Sequence, residues 1–299
     1  MRSFPSWTFR SAVALAVVLS SRGAFSQACC AGTNALTPAR LPDHEWLLVG
    51  SQTSMRMLMG SWNEHGRYVH RPYGAAETDF EMDVLAAWRT PWKKLQLAAF
   101  VPIVLTTRAA SGVVAAGGGF GDMNLAARLD AHPNIAVLAG ITLPTGVAPE
   151  SASRPLAVDA TGAGSVRGTA GVGFEKAFGP WLFDAIALMT LYAPRKVGAI
   201  EEVRAPGLAL TGAATHVFTG GTALGAALFY QVEWDAWVDG KTAKDSSRRI
   251  FRFALFGTHP IGSGAWRISG SVAVEPPVSE LGQNDFPGVT ILAGVQRGF

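Results

Sequence analysis

The sequence has only two cysteines, and they are neighbours, Cys29 and Cys30. A framework of disulfides needs cysteines spread along the chain, so the body of this fold is not stapled. Charge is also scarce, at 16% of 299 residues, although the apolar fraction is 48%. Long apolar runs are missing as well. The longest, Ala12 to Leu19, falls short of the roughly 20 residues an α-helix needs to cross a bilayer. A basic excess is lacking too, once the first residues are set aside. Arg2, Arg10 and Arg22 precede or flank that run and small residues follow it, the layout of a secretory signal peptide over residues 1–28. Subtracting those three from 25 basic residues leaves 22 against 22 acids, which gives no basic surface for nucleic acid.

A stripe of period 3.6 is absent, and alternation takes its place. In 79–89, Phe80, Met82, Val84, Ala86 and Trp88 share one face, against Asp79, Glu81, Asp83, Leu85, Ala87 and Arg89. In 222–236, Leu224, Ala226, Leu228, Tyr230, Val232 and Trp234 oppose Gly225, Ala227, Phe229, Gln231, Glu233 and Asp235. Strand side chains point alternately to opposite faces, so each segment has one apolar side. Twelve such segments are expected, near 46–59, 79–90, 94–106, 119–130, 134–144, 165–176, 181–192, 205–217, 222–236, 249–258, 265–275 and 288–299. The connections alternate between short turns, four of the five bearing a proline, and long loops, including 107–118 and 145–164.

An even number of strands of about ten residues, with short turns at one rim and long loops at the other, describes an all-β, up-and-down transmembrane barrel. Hydrocarbon offers no partner for backbone N–H and C=O groups, and a closed sheet leaves no edge. Trp88, Trp92, Phe178, Trp181 and Trp266 are expected at the short-turn rim, and Phe80, Tyr192, Trp234 and Trp237 at the loop rim. The barrel is assigned to 46–299, and residues 29–45 to a periplasmic segment that is either tether or plug. The expected location is the bacterial outer membrane, among phospholipid and lipopolysaccharide. The final strand, ending in Phe299, resembles the closing strand that barrel assembly machinery recognises, except that Arg297 stands where an apolar residue is usual.

The run Gly117-Gly118-Gly119-Phe120-Gly121-Asp122 looks at first like a phosphate loop, but no helix and no P-loop lysine follow it. Within the barrel frame, Gly121-Asp122, Leu125, Arg128, Pro144-Thr145-Gly146 and Gly162 to Ser165 resemble the marks of the MetA-pathway of phenol degradation family of outer-membrane barrels. That resemblance implies a channel or transporter for small hydrophobic or aromatic solutes. The alternative is a barrel with a closed lumen that acts through its long loops.

With the apolar faces turned to lipid, the expected lumen lining is Arg56, Asp79, Glu81, Asp83, Arg89, Lys94, Asp122, Arg128, Arg167, Glu175, Asp184, Glu233, Asp235, Arg252, Arg267 and Glu275. Both signs occur, so ion-pair ladders or a hydrated solute path are both compatible with the set. The acids near the outer ends of the second and ninth segments suggest a mouth that favours cations. No cofactor and no metal site is expected. No enzymatic role is expected either: none of the six histidines has a serine two residues later, as the outer-membrane lipase arrangement requires. Cys29 is a candidate for lipid attachment, although Ser26 stands where an aliphatic residue is required.

Overall fold

The computed structural model describes residues 41–42, 44–262 and 265–299; the signal segment, Cys29 and most of the N-terminal segment lie outside them. From the N-terminal side, β1 (Leu47–Leu58) leads to an outer hairpin of β2 (Gly60–Trp62) and β3 (Tyr68–His70). The long pair β4 (Ala76–Arg89) and β5 (Leu95–Ala110) follows. Next, β6 (Val113–Phe120) and β7 (Met123–His132) lie along one line that is interrupted at Gly121-Asp122, and β8 (Ile135–Leu143) returns beside β7. The hairpin of β9 (Arg167–Phe178) and β10 (Trp181–Tyr192) ends in a loop carrying β11 (Arg195–Val197) and β12 (Ile200–Val203). After β13 (Gly207–Val217) and β14 (Ala223–Glu233), the next loop carries β15 (Trp237–Val238) and β16 (Lys241–Thr242). The chain finishes with β17 (Arg248–Ile261), β18 (Trp266–Val274) and β19 (Gly288–Gly298).

Each long strand pairs with its neighbours in the order β4-β1-β19-β18-β17-β14-β13-β10-β9-β8-β7-β5, and β4 pairs with β5 to close the ring. The result is an antiparallel barrel of twelve strands, as the alternation predicts. First and last strands are zipped along nearly their full length, from Leu48 opposite Gly298 to Leu58 opposite Gly288. The faces follow the expected parity. Val84, Leu224, Leu228, Leu255, Ile268 and Val272 are exposed on the outside, and Leu85, Ala87, Ala227, Phe229 and Ala254 are buried inside. This outer belt and the closed ladder make the chain an outer-membrane barrel.

Four expectations need correction. The connection 107–118 is no loop. It is a continuation of the wall into a hairpin, with Ala110 opposite Val113. Ser111 (φ 51°) and Gly112 (φ 79°) supply the two positive φ angles that a two-residue type I′ turn demands. Tyr192 does not join the outer aromatic belt, because its hydroxyl donates to Glu233 (2.8 Å) on the inner face. Lys94 is exposed in the turn before β5 and lines nothing. The outer loops are also more ordered than their composition suggests: β11, β12, β15 and β16 form a separate four-stranded sheet above the barrel.

Leu228 sits at the middle of β14 with half its surface facing outward. Leu228→Arg is expected to destabilise the barrel in lipid by about 2–4 kcal/mol, read by reversible denaturant unfolding in vesicles. An unchanged midpoint would place this face in the lumen.

Candidate functional site

At the short-turn end the described part of the N-terminal segment packs against the inner face of the wall. Leu41 is fully buried with Leu48, Leu85, Ala87 and Ala98, and Phe100 packs on the same cluster. The Leu41 backbone is gripped at both polar groups: its N–H donates to Gln96 Oε1 (2.8 Å), and its carbonyl accepts from Arg89. Arg89 also donates to Pro42 O (3.0 Å), and Glu45 pairs with Arg267. Above this, Arg128 bridges Asp130 (2.9 Å) and Glu175 (2.6 Å). Near the outer end, Glu275, fully buried, takes both Arg56 (2.7 Å) and Arg252. Arg167 donates to Thr142 Oγ1 (3.1 Å), Asp79 accepts from Thr106 (2.9 Å), and Asp83 accepts from Gln52 (2.9 Å). Asp184 is buried. Most of the candidate charges are thus held in cross-strand pairs that fill the interior.

Two of the acids expected at the mouth are engaged, Glu233 on the inner face and Asp235 in an outer loop. Glu233 accepts from Tyr192 and Gln231 and faces Arg248 (3.9 Å). Asp235 lies past the end of β14 and accepts the Ser247 N–H (2.8 Å), so it orders an outer loop. Among the described residues, no group of three or more His, Cys, Asp or Glu is arranged to hold a metal ion.

Asp122 belongs to a different structure, a break in the wall between β6 and β7. β7 is paired on both sides, with β5 and β8, but β6 has a ladder partner on one side only, β5. β8 stops at Leu143, before Pro144, which cannot donate to a ladder. Loop 144–166 then folds across the free edge of β6 and toward the lumen. The glycines make its seat. Antiparallel pairing with β5 turns Gly117 and Gly119 inward, level with Thr106 and Val104. A Cβ at Gly117 would come 2.7 Å from Val158 Cγ2, and Val158 is fully buried there. A Cβ at Gly121 would meet Pro102 at 2.9 Å, and one at Gly162 would strike the Asp122 carboxylate. Small residues here let the loop reach the wall.

Side chains replace the missing ladder. Asp122 accepts the N–H groups of Gly146 (3.0 Å) and Ala163 (2.7 Å), tying both ends of the loop to the break. Thr145 donates to Gly121 O (2.7 Å) and accepts from Met123 N (2.9 Å). Thr161 donates to Phe120 O (2.6 Å) and accepts from Val147 N (3.0 Å). Arg108, held by Glu77 (2.9 Å), donates to Leu156 O (2.8 Å) and Ala157 O. Within the loop, Asp159 accepts from the backbone N–H of Ser153 (2.9 Å) and Arg154 (3.1 Å). The sequence marks Gly121-Asp122, Pro144-Thr145-Gly146 and Gly162 thereby meet at one point. Thr161, Val158 and Arg108, which sequence reasoning passed over, complete it; only their spacing around those marks hinted at them.

No family model and no curated protein sequence matches the chain. Among solved structures, an outer membrane channel from Pseudomonas putida F1 superposes with a TM-score of 0.71 at 13% identity, covering 89% of this chain and 99% of that one. The β domain of the Bordetella autotransporter BrkA gives 0.50 at 11% identity, over 85% of this chain and 100% of that one. The CymD monoaromatic hydrocarbon channel gives 0.43 at 12% identity, over 85% and 89%. At these identities the likeness is one of fold: the chain is built as an outer-membrane β-barrel.

Asp122→Ala removes a charged acceptor from two backbone N–H groups, at a cost of roughly 2 kcal/mol to loop docking. A glutamyl endopeptidase cutting after exposed Glu150 should then act at least tenfold faster while the barrel keeps its heat-modifiable mobility; an unchanged rate would remove Asp122 from the clamp. Donation by the Ser153 and Arg154 N–H groups holds the Asp159 carboxyl down at about 2. A depressed carboxyl contributes order above its free value, about 3.9, and loses it as pH falls through the bound value. Exchange protection of the Ser153 and Arg154 amides should persist to about pH 4 and disappear toward about pH 2, and Asp159→Asn should abolish that dependence.

Proposed function

We propose that the protein admits small apolar solutes, of the monocyclic aromatic class, through its wall at the seam between β6 and loop 144–166. The carrying observation is that the free edge of β6 meets side-chain clamps, whereas β7 on the same strand line has a backbone ladder on both sides. A ladder in hydrocarbon does not part without leaving amides unpaired, whereas threonine and aspartate clamps exchange partners locally. The lipid side of the seam is apolar, with Val114, Phe120 and Leu105 among the more exposed large side chains. On the lumen side a track of apolar groups runs from Pro102 and Phe100 to Leu85 and Leu41. Resemblance to the MetA-pathway of phenol degradation family supports the same solute class. The lumen-lining charges serve, in this reading, to brace the wall around that track and to keep hydrophilic solutes out.

A lock on the seam tests it. In a chain whose Cys29 and Cys30 are replaced by Ser, Gly119→Cys and Thr161→Cys bring two thiols together, since a Cβ at Gly119 stands 3.8 Å from Thr161 Cγ2. Oxidation should reduce uptake of a radiolabelled monocyclic aromatic by lipopolysaccharide-bearing cells at least fivefold, and reduction should restore it. Uptake that is the same in both states, beside a steady ion conductance in planar bilayers, would instead assign passage through the lumen. Neither uptake nor conductance would favour the closed barrel acting through its loops, which the buried Leu41 and the Glu275 cluster would then explain.

A further inference from the structure

Arg297, the departure from the usual closing strand, has a defined environment. Its guanidinium lies over two rings on the lipid side of the short-turn rim, 4.6 Å from the Phe299 centroid and 5.4 Å from the Trp266 centroid. Among the described residues it has no acidic partner. Across β1 the belt continues: the Trp46 N–H donates to Phe299 O (2.8 Å), and Leu47 stands opposite Trp88. Trp46, Trp88, His44, Glu45, Arg89 and Lys93 are among the residues that line a cleft of about 330 Å³ at the same rim. The nearby acid, Glu45, is buried and turned inward to Arg267. The outward surface therefore carries the cations Arg297 and Lys93 among four aromatic rings, and the one carboxylate that lines the cleft, Glu45, is paired with Arg267.

We propose that this patch binds the phosphate of an anionic glycerophospholipid in the periplasm-facing leaflet. Short turns mark the periplasmic rim of such barrels, so the patch sits at headgroup depth in the leaflet that holds phospholipid. A guanidinium held over aromatic rings can still present its N–H groups to phosphate oxygens in a bidentate fork. Lys93 offers a point charge at the other end of the belt, and Trp46, Trp88 and Trp266 pack on the glycerol and first acyl carbons, as interfacial aromatics do. The closing strand is thus held both by its ladder to β1 and by a lipid laid across the junction.

The test is native mass spectrometry of the full chain in detergent, titrated with phosphatidylglycerol or phosphatidylcholine. Wild type should retain phosphatidylglycerol in preference, and Arg297→Leu should lower that preference about fivefold. Arg297→Lys should lose part of it, and Trp266→Leu should lose as much as Arg297→Leu although every charge is kept. Excess inorganic phosphate should not displace the lipid; complete displacement would mean a site for the free ion and overturn the proposal. Equal retention of the two lipids by wild type, or full preference in Arg297→Leu, would also overturn it. If Arg297→Leu fails to assemble, as judged by heat-modifiable mobility, Lys93→Gln, outside the closing strand, should still weaken phosphatidylglycerol retention, and no change there would overturn it.

Discussion

In hydrocarbon a backbone amide has no solvent to turn to, and that single constraint organises the molecule. It forces the sheet to close and zips β19 onto β1 along eleven paired residues. It also makes any gap in the ladder conspicuous. One such gap runs along the outer half of a strand line, where β6 leaves β7 at Gly121-Asp122 and β8 ends before Pro144. Three consecutive glycines, two threonine hydroxyls and one aspartate carry the wall across it.

The interior answers the same constraint with charges. An arginine inside a narrow barrel costs much unless a carboxylate meets it, and removing one member of such a pair leaves the other buried and uncompensated. The Arg56–Glu275–Arg252 and Arg128–Asp130–Glu175 groups are arranged across strands, so each joins wall segments that are distant in sequence. The short-turn end adds the Leu41 segment, fixed by Gln96, Arg89 and the Glu45–Arg267 pair. Along the seam of loop 144–166 the bracing is local instead, supplied by Asp122, Thr145 and Thr161.

Period-two alternation carried the barrel itself. Each of the twelve segments found by parity corresponds to a wall strand, because one face of each must be apolar for lipid and the other small or polar for the lumen. Parity failed where that division of faces lapses. Beyond Thr106 the wall rises toward the outer rim, and Gly117 to Gly119 have no side chains to alternate, so the β5–β6 hairpin was hidden. The short strands β11, β12, β15 and β16 pair across two different loops, and two to four residues show no period. Tyr192 went astray because an aromatic at a strand end suits either face, and its hydroxyl is satisfied inside by Glu233. The clamp was visible as residues but not as a site: Asp122 lies 24 residues from Gly146 and 41 from Ala163, and only the fold brings them together.

The central claim is that β6 is held by side chains along one edge, whereas β7, on the same line, is held by backbone on both. Residue-resolved hydrogen exchange of the protein in lipid nanodiscs tests this directly. In an antiparallel pair alternate residues face the partner, so the Ala116 and Gly118 amides point to the free edge while those of Gly117 and Gly119 point to β5. The account predicts that Ala116 and Gly118 exchange at least a hundredfold faster than Ala126 and Ala127 in β7, and that Gly117 and Gly119 fall between. Equal protection of β6 and β7 would mean an unbroken wall and would contradict it.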